Sequence, residues 1–446
     1  MAFTVVFVRL LSILMSGHTL LCVSQACDTS FVGTRPSVWV DFECSREASS
    51  VCQQFGLEYI CADKDPCVEN NTVLCASPEA LPLTTPNNLN EINVISYNVW
   101  ELRYLYYQSG QRERTCRIVR ELVSQHPEVD VISFNEVFMG GCFSNESLTI
   151  RDILMQYGYV YYTETVGTPT TILKPENGGV FIASRWPIIR KAQHVFEKAA
   201  FSTTDFLSGK GVMYVEIDKN VYGMSRRYHV FGTHMQAQER FNTQTVRLAQ
   251  AKEMYMFQRR QYIPADEPVI YVGDLNCDWV DTQNHAEDVI NALHASEPER
   301  KGELNYTYDR ALNDVFPGTP VEDNTSQWLD YALYSNEHLL PTSASVRVLR
   351  PKTQPFEVCS ISVFPGYHFP DAPRCQRTRV ISDLSDHFPV LGNFVFRPNQ
   401  ETTTTHPIGA TRNIGTLKEV SLNLLMTLMF HICLIHLHSI LFFSYF

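Results

Sequence analysis

Six short stretches of this 446-residue chain set a side chain able to bind a metal, move a proton or hold a phosphate against an apolar run. Val269-Ile270-Tyr271-Val272 runs into Gly273-Asp274-Leu275-Asn276, and Val131-Ile132-Ser133-Phe134 runs into Asn135-Glu136. The alternating stretch 91–97 stops at Asn98-Val99-Trp100, and 228–233 ends in His234. Asp330 stands in Leu329-Asp330-Tyr331, and Asp386-His387 precedes Phe388-Pro389-Val390. Any one of these is ordinary, because an Asn or Asp beside a strand usually forms a turn. Together they supply what hydrolysis of a phosphodiester needs: neutralised oxygen charge, an activated water and a proton for the leaving oxygen. Glu136 with Asn98 offers hard oxygen ligands, which suit magnesium. Asp386-His387 offers a base, Asp330 an orienting partner for its imidazole, and His234 either an acid or a phosphate contact. Zinc is disfavoured, since the close pair His229 and His234 has no partner cluster at zinc-ligand spacing. The sequence contains neither a Gly-x-Ser-x-Gly elbow nor a Gly-x-x-x-x-Gly-Lys phosphate loop.

These groups act on one substrate only if the chain delivers them to one place, and the patterning predicts elements that end where they stand. Strands are predicted over 91–97, 129–134, 159–163, 180–184, 212–217, 228–233, 269–272, 329–334, 345–349 and 390–395. Helices are predicted over 112–126, where Val119, Leu122 and Val123 fall at helical spacing before Pro127, over 150–157, and over 243–262. In such a strand-rich α/β chain, six strand ends with catalytic-type side chains suggest one convergent site.

The formal charge of −12 gives no field that would draw in a polyanion, so no nucleic-acid partner is expected. Residues 1–26 read as a signal peptide: Arg9, an apolar core from Leu10 to Met15 and from Leu20 to Val23, then Ser24-Gln25-Ala26. Of thirteen cysteines, six (Cys27, Cys44, Cys52, Cys61, Cys67, Cys75) crowd residues 27–86, as in a disulfide-stapled N-terminal module of an oxidising compartment. Asn70, Asn145, Asn305 and Asn324 open glycosylation triplets. The catalytic-type motifs fall within 87–398, and a polar stalk follows at 399–421. The apolar tail 422–446 reaches the last residue with no basic anchor, the pattern of a removed glycolipid (GPI) signal, although its length also suffices for a transmembrane helix.

The quoted motifs, with Gly178-Gly179-Val180-Phe181-Ile182-Ala183-Ser184-Arg185-Trp186-Pro187 and Gly232-Thr233-His234-Met235-Gln236-Ala237, resemble the ordered series of the endonuclease/exonuclease/phosphatase superfamily. Within it they look most like the secreted sphingomyelinase C branch. The resemblance implies a DNase I-like, four-layered α/β sandwich of two mixed β-sheets flanked by helices, with the site at one edge. It implies Glu136, Asn98 and Asp386 as the metal group, binding Mg2+ with Mn2+ or Co2+ as substitutes. Asp274 and Asn276 would place the water and the phosphate, His387 would be the base, Asp330 its partner, and His234 a phosphate contact or acid. Asp205 and Lys210 resemble an Asp–Lys pair associated with switching neutral sphingomyelinases into their active arrangement; a solvated turn ion pair is an equal alternative. Cys277 replaces the aliphatic residue usual after Asp-Leu-Asn and reads as a small buried side chain.

An extracellular, membrane-tethered enzyme of this kind would find sphingomyelin in the outer leaflet as its substrate, anchoring being a way to raise effective concentration. Phe364, Tyr367 and Phe369, between Cys359 and Cys375, would either meet the bilayer as a stapled aromatic hairpin or pack beneath their own loop. The same superfamily also holds open another phospholipid or nucleic acid as substrate, or a catalytically silent surface-binding protein. Oligomeric state is not legible.

Overall fold

The computed structural model describes residues 88–101, 110–138, 149–201, 203–238, 242–316, 325–362 and 375–398, together with Cys52 and the strand backbones Ser37–Asp41, Glu58–Ala62 and Thr72–Ala76. After the short N-terminal strands, which form their own antiparallel sheet, the chain runs β1 (Glu91–Glu101), α1 (Gln111–Gln125), β2 (Val131–Val137), α2 (Ile150–Gln156), β3 (Tyr161–Tyr162) and β4 (Phe181–Ser184). It continues β5 (Ile188–Val195), β6 (Gly211–Val221), β7 (Met224–His234), α3 (Thr243–Arg259), β8 (Val269–Asp274) and α4 (Gln283–Ala292). The last elements are β9 (Ala295–Ser296), β10 (Glu299–Lys301), β11 (Asp330–Ser335), β12 (Ser343–Val348), β13 (Lys352–Ser362), β14 (Cys375–Asp383) and β15 (Val390–Val395).

Two mixed sheets result, one ordered β10-β12-β15-β1-β2-β4-β3 and the other β9-β11-β8-β7-β6-β5. The period of two along each strand decides what each face meets. On β1, Ile95, Tyr97 and Val99 join one buried cluster with Ile118, Val119 and Leu122 of α1 and Ile150, Ile153 and Leu154 of α2. Ile92 and Val94 point the other way, into the cluster between the sheets with Val180, Ile182, Met213, Val215 and Val230. Beyond the second sheet, Ala251, Met254 and Phe257 of α3 and Val289 and Ile290 of α4 complete the burial. The layers are therefore helix, sheet, sheet, helix, as the resemblance implies.

One end of the sandwich is locked by charge. Lys219 on β6 reaches across to Asp130 before β2 at 2.8 Å, with both side chains fully buried. The Asp130 carboxylate also accepts from Trp186 Nε1 at 2.6 Å and from the Asn93 amide at 2.8 Å, so the buried pair is amply hydrogen bonded.

Sequence patterning missed β5, α4, the short β9 and β10, and both strands of the β13–β14 hairpin. β5 is an edge strand whose Ile189, Arg190 and Lys191 are exposed, so it lacks the apolar alternation of a half-buried strand. α4 buries only Ala286, Val289 and Ile290. The β13–β14 hairpin carries Pro355 and several charged residues. Its register sets Cys359 opposite Thr378 and Cys375 opposite Ser362. Its aromatic tip (Phe364, Tyr367, Phe369), Asn70, Asn145, Asn324, the pairing of the N-terminal cysteines, the signal segment and the tail lie outside the described residues. Asn305 is exposed. Among the described residues, no helix is long and apolar enough to cross a membrane.

Candidate active site

Strand register gathers the six motifs. β7 and β8 are parallel with His234 opposite Asp274, and β8 meets β11 antiparallel with Asp274 opposite Asp330. In the facing sheet β1 and β2 are parallel with Asn98 opposite Asn135. Four of the groups thus end parallel strands, whereas Asp330 begins β11 and Asp386-His387 precede β15, because those strands run the opposite way to the same edge.

Glu136 breaks the alternation of its strand. After Ile132 and Phe134 it would face the helices, but its φ of 59° turns it instead toward the second sheet, where Oε1 lies 3.8 Å from His234 Nε2. Trp100 and Asn276 at the same edge also hold positive φ, 50° and 53°. Such conformations cost about 1–3 kcal/mol each and cluster at functional sites. Two glycines make the geometry possible. A Cβ on Gly273 would lie 2.1 Å from the Thr233 carbonyl oxygen, and one on Gly179, whose φ is 69°, would lie 3.0 Å from Glu136 Cα.

His387 donates from Nδ1 to Asp330 Oδ2 at 2.8 Å, leaving Nε2 4.0 Å from Asp274 Oδ2. Burial works against charge on this imidazole, but the Asp330 carboxylate, then Asp386 and Asp274, hold its pKa well above the usual histidine value. Thr307 Oγ1 accepts from the Leu329 and Asp330 amides at 2.9 and 3.2 Å, and the Tyr308 ring lies edge-on to His387 at 5.2 Å. Asp274 accepts from Asn98 Nδ2 at 3.0 Å and from the Asn276 amide at 2.8 Å.

Lys210 is not a solvated turn residue. It is buried, 2.8 Å from Asp205 Oδ2, 2.9 Å from the Met235 carbonyl and 3.0 Å from His234 Nε2. An ammonium only donates, so this contact has His234 Nε2 accepting. Burial, then the Lys210 charge, drives the His234 pKa well below its ordinary value, and the ring is neutral.

The oxygen donors fit a hard cation. Glu136 Oε2 is buried with no hydrogen-bond partner. Burial first, then the Asp386 carboxylate, pushes the Glu136 pKa up to about 7, and burial raises that of Asp386 too. Two neighbouring carboxylates that repel each other, one of them with a buried oxygen left without a partner, fit a hard cation. Asp274, Asp330 and His387 also bring ligand-type atoms within 4.8 Å of one another, but the Asp330–His387 hydrogen bond already occupies that pair as an orienting relay. Sequence reading overlooked Arg114 on α1, fully buried, which donates to the carbonyls of Val99, Trp100 and Leu384 and so ties the end of β1 to the segment carrying His387. Within Gln111-Arg112-Glu113-Arg114 it looks like a surface charge. Cys277 is buried, as expected, with its thiol 3.2 Å from the Leu275 carbonyl. His229, five residues before His234, sits mid-strand between Tyr214 (2.9 Å) and Glu267 (2.6 Å), away from the site.

The profile of the Endonuclease/Exonuclease/phosphatase family matches residues 95–387. Sphingomyelinase C of Bacillus cereus is 31% identical over 328 residues, covering 69% of this chain and 90% of its own. Among solved structures, beta toxin of Staphylococcus aureus, as a double mutant with bound magnesium ions, superposes with TM-score 0.55 at 27% identity, covering 68% of this chain and 99% of its own. Sphingomyelinase C of Streptomyces griseocarneus superposes with TM-score 0.54 at 25% identity, covering 68% and 99%.

Proposed function

The chain belongs to the endonuclease/exonuclease/phosphatase family and has sphingomyelinases C as relatives, and from that premise we propose that it hydrolyses sphingomyelin to ceramide and phosphocholine with magnesium at the outer cell surface. One observation carries the mechanism: the unpartnered Glu136 oxygen and the Asp330–His387 relay stand at one edge of the sandwich with Asp274 between them. That edge holds the parts of a phosphodiesterase.

Glu136 and Asn98, with Asp386 beside them, would hold the magnesium ion, whose chemistry when bound is to neutralise charge on the phosphate oxygens. His387 takes the water's proton at Nε2, while Asp330 keeps the ring oriented and stabilises the positive charge that develops on the imidazolium. Asp274 accepts from Asn98 and the Asn276 amide, so its remaining capacity is fixed in direction beside His387 Nε2. A neutral His234 whose Nε2 accepts from Lys210 has no proton to give at that nitrogen, so at this position the Lys210 ammonium is the group that can donate. Lys210, held by Asp205 and the Met235 carbonyl, brings the nearest ammonium to that ring.

The lipid substrate is inferred from the relatives and from the −12 charge, which opposes a polyanionic substrate. The surface location is inferred from the N-terminal signal, the cysteine-rich stretch and the glycolipid-type tail. The direct test is hydrolysis of labelled sphingomyelin by the purified protein, with and without magnesium, beside phosphatidylcholine and DNA. Magnesium-dependent release of phosphocholine from sphingomyelin supports the reading; equal or greater activity on DNA overturns the substrate assignment.

A further inference from the structure

Two loops beside the site present apolar side chains to solvent from firmly held backbone. In the first, Phe201 is 83% and Leu207 49% exposed, and the Phe201 ring lies tilted against Phe206 with centroids 4.6 Å apart. The backbone beneath them is tied down: the Ala200 amide donates to Gln236 Oε1 at 2.9 Å, Gln250 Nε2 donates to the Lys198 carbonyl at 2.8 Å, and Gln236 Nε2 donates to Thr203 Oγ1 at 2.9 Å. In the second, Ile172 is 99% and Leu173 79% exposed, while Lys174 Nζ reaches across to the Phe196 carbonyl at 3.1 Å. The two loops are joined where Glu176–Asn177 pairs in parallel with Ser208–Gly209. The next residue is Lys210, 3.0 Å from His234.

A loop that wraps the core buries its apolar residues; these are held outward at the edge that carries the catalytic groups. We propose that Ile172, Leu173, Phe201 and Leu207 form an apolar rim that inserts into a choline-phospholipid surface and holds the site against it. The proposal rests on the lipid reading above, and it is independent of the aromatic hairpin, since neither loop belongs to β13 or β14. A lipid surface is the partner these side chains fit because they are apolar and exposed, stand on two loops that meet in one strand pair, and adjoin the site where a lipid phosphodiester is read. The rim carries no cluster of basic residues that would call for an anionic surface, so burial of apolar area drives its insertion.

The test uses the full-length protein with vesicles of equimolar sphingomyelin and phosphatidylcholine, and separately a water-soluble chromogenic phosphocholine diester. Phe201→Ser/Leu207→Ser is expected to lower vesicle binding and vesicle hydrolysis about tenfold or more, the scale set by two lost apolar insertions, with turnover of the soluble diester unchanged. Tyr222→Ser, 85% exposed in the β6–β7 turn at the opposite end of β7 from His234, is expected to change neither. Unchanged vesicle binding in the double variant, or an equal loss in Tyr222→Ser, overturns the proposal. Should the double variant also lose soluble activity, Ile172→Ser/Leu173→Ser decides: reduced vesicle binding with intact soluble turnover supports the rim, and unchanged binding refutes it. Vesicle binding by Glu136→Gln separates the two readings, because a rim that binds normally survives even where sphingomyelin proves not to be the substrate.

Discussion

At the scale of single residues, the chemistry rests on Glu136 and on the Asp330–His387 pair. Glu136→Gln keeps the shape of the side chain and removes the charge that would hold a cation; turnover is expected to fall about a thousandfold or more, with loss of magnesium-induced thermal stabilisation. Asp330→Asn tests the base. His387 must be neutral to accept a proton, so kcat/KM rises with pH through its pKa, and Asp330 holds that pKa above the ordinary value. Removing the carboxylate lowers the pKa, and the acid limb of the pH profile is expected to move to lower pH while the plateau falls about 10²–10⁴-fold. An acid limb that stays in place would show that the pair does not act as drawn. Glu136, Asp274, Asp330 and His387 were all legible in the sequence, because an apolar run beside a catalytic-type side chain is a local pattern. Arg114 and Thr307 were not, since nothing local distinguishes a buried arginine on a helix, or a threonine inside a glycosylation triplet, from a surface one.

At the scale of elements, β7 and β8 fix the spacing of the site and the Lys219–Asp130 pair fixes the far end of the two sheets. A Cβ at Gly273 would meet the Thr233 carbonyl, so Gly273→Ala must part the two strands. A stability loss of about 1–3 kcal/mol is expected by chemical denaturation, with activity falling further than stability because His234 and Asp274 face each other across that seam. Lys219→Met strands the Asp130 carboxylate and is expected to cost about 3–5 kcal/mol while leaving the pH profile of the remaining folded enzyme unchanged. Buried strands such as β8 announced themselves by continuous apolar runs. β5 and the β13–β14 hairpin did not, because an edge strand and an exposed hairpin can be polar along their length.

At the scale of the whole molecule, a four-layered sandwich brings six chain-distant motifs to one edge by mixing parallel and antiparallel neighbours. Sequence patterning gives the strands but not their order, and it was the ordered motif series that implied which layer meets which. The Asp205–Lys210 pair shows the same limit: its spacing is visible in the sequence, but its burial against His234 follows only from folding. Chelation is expected to abolish activity and lower the melting temperature, with both restored by magnesium. The most direct test of the central claim is sphingomyelin turnover at saturating magnesium by the wild-type protein, Glu136→Gln and His387→Ala. Wild-type turnover that falls by about three orders of magnitude or more in both variants is predicted; turnover unchanged in either would contradict the site described here.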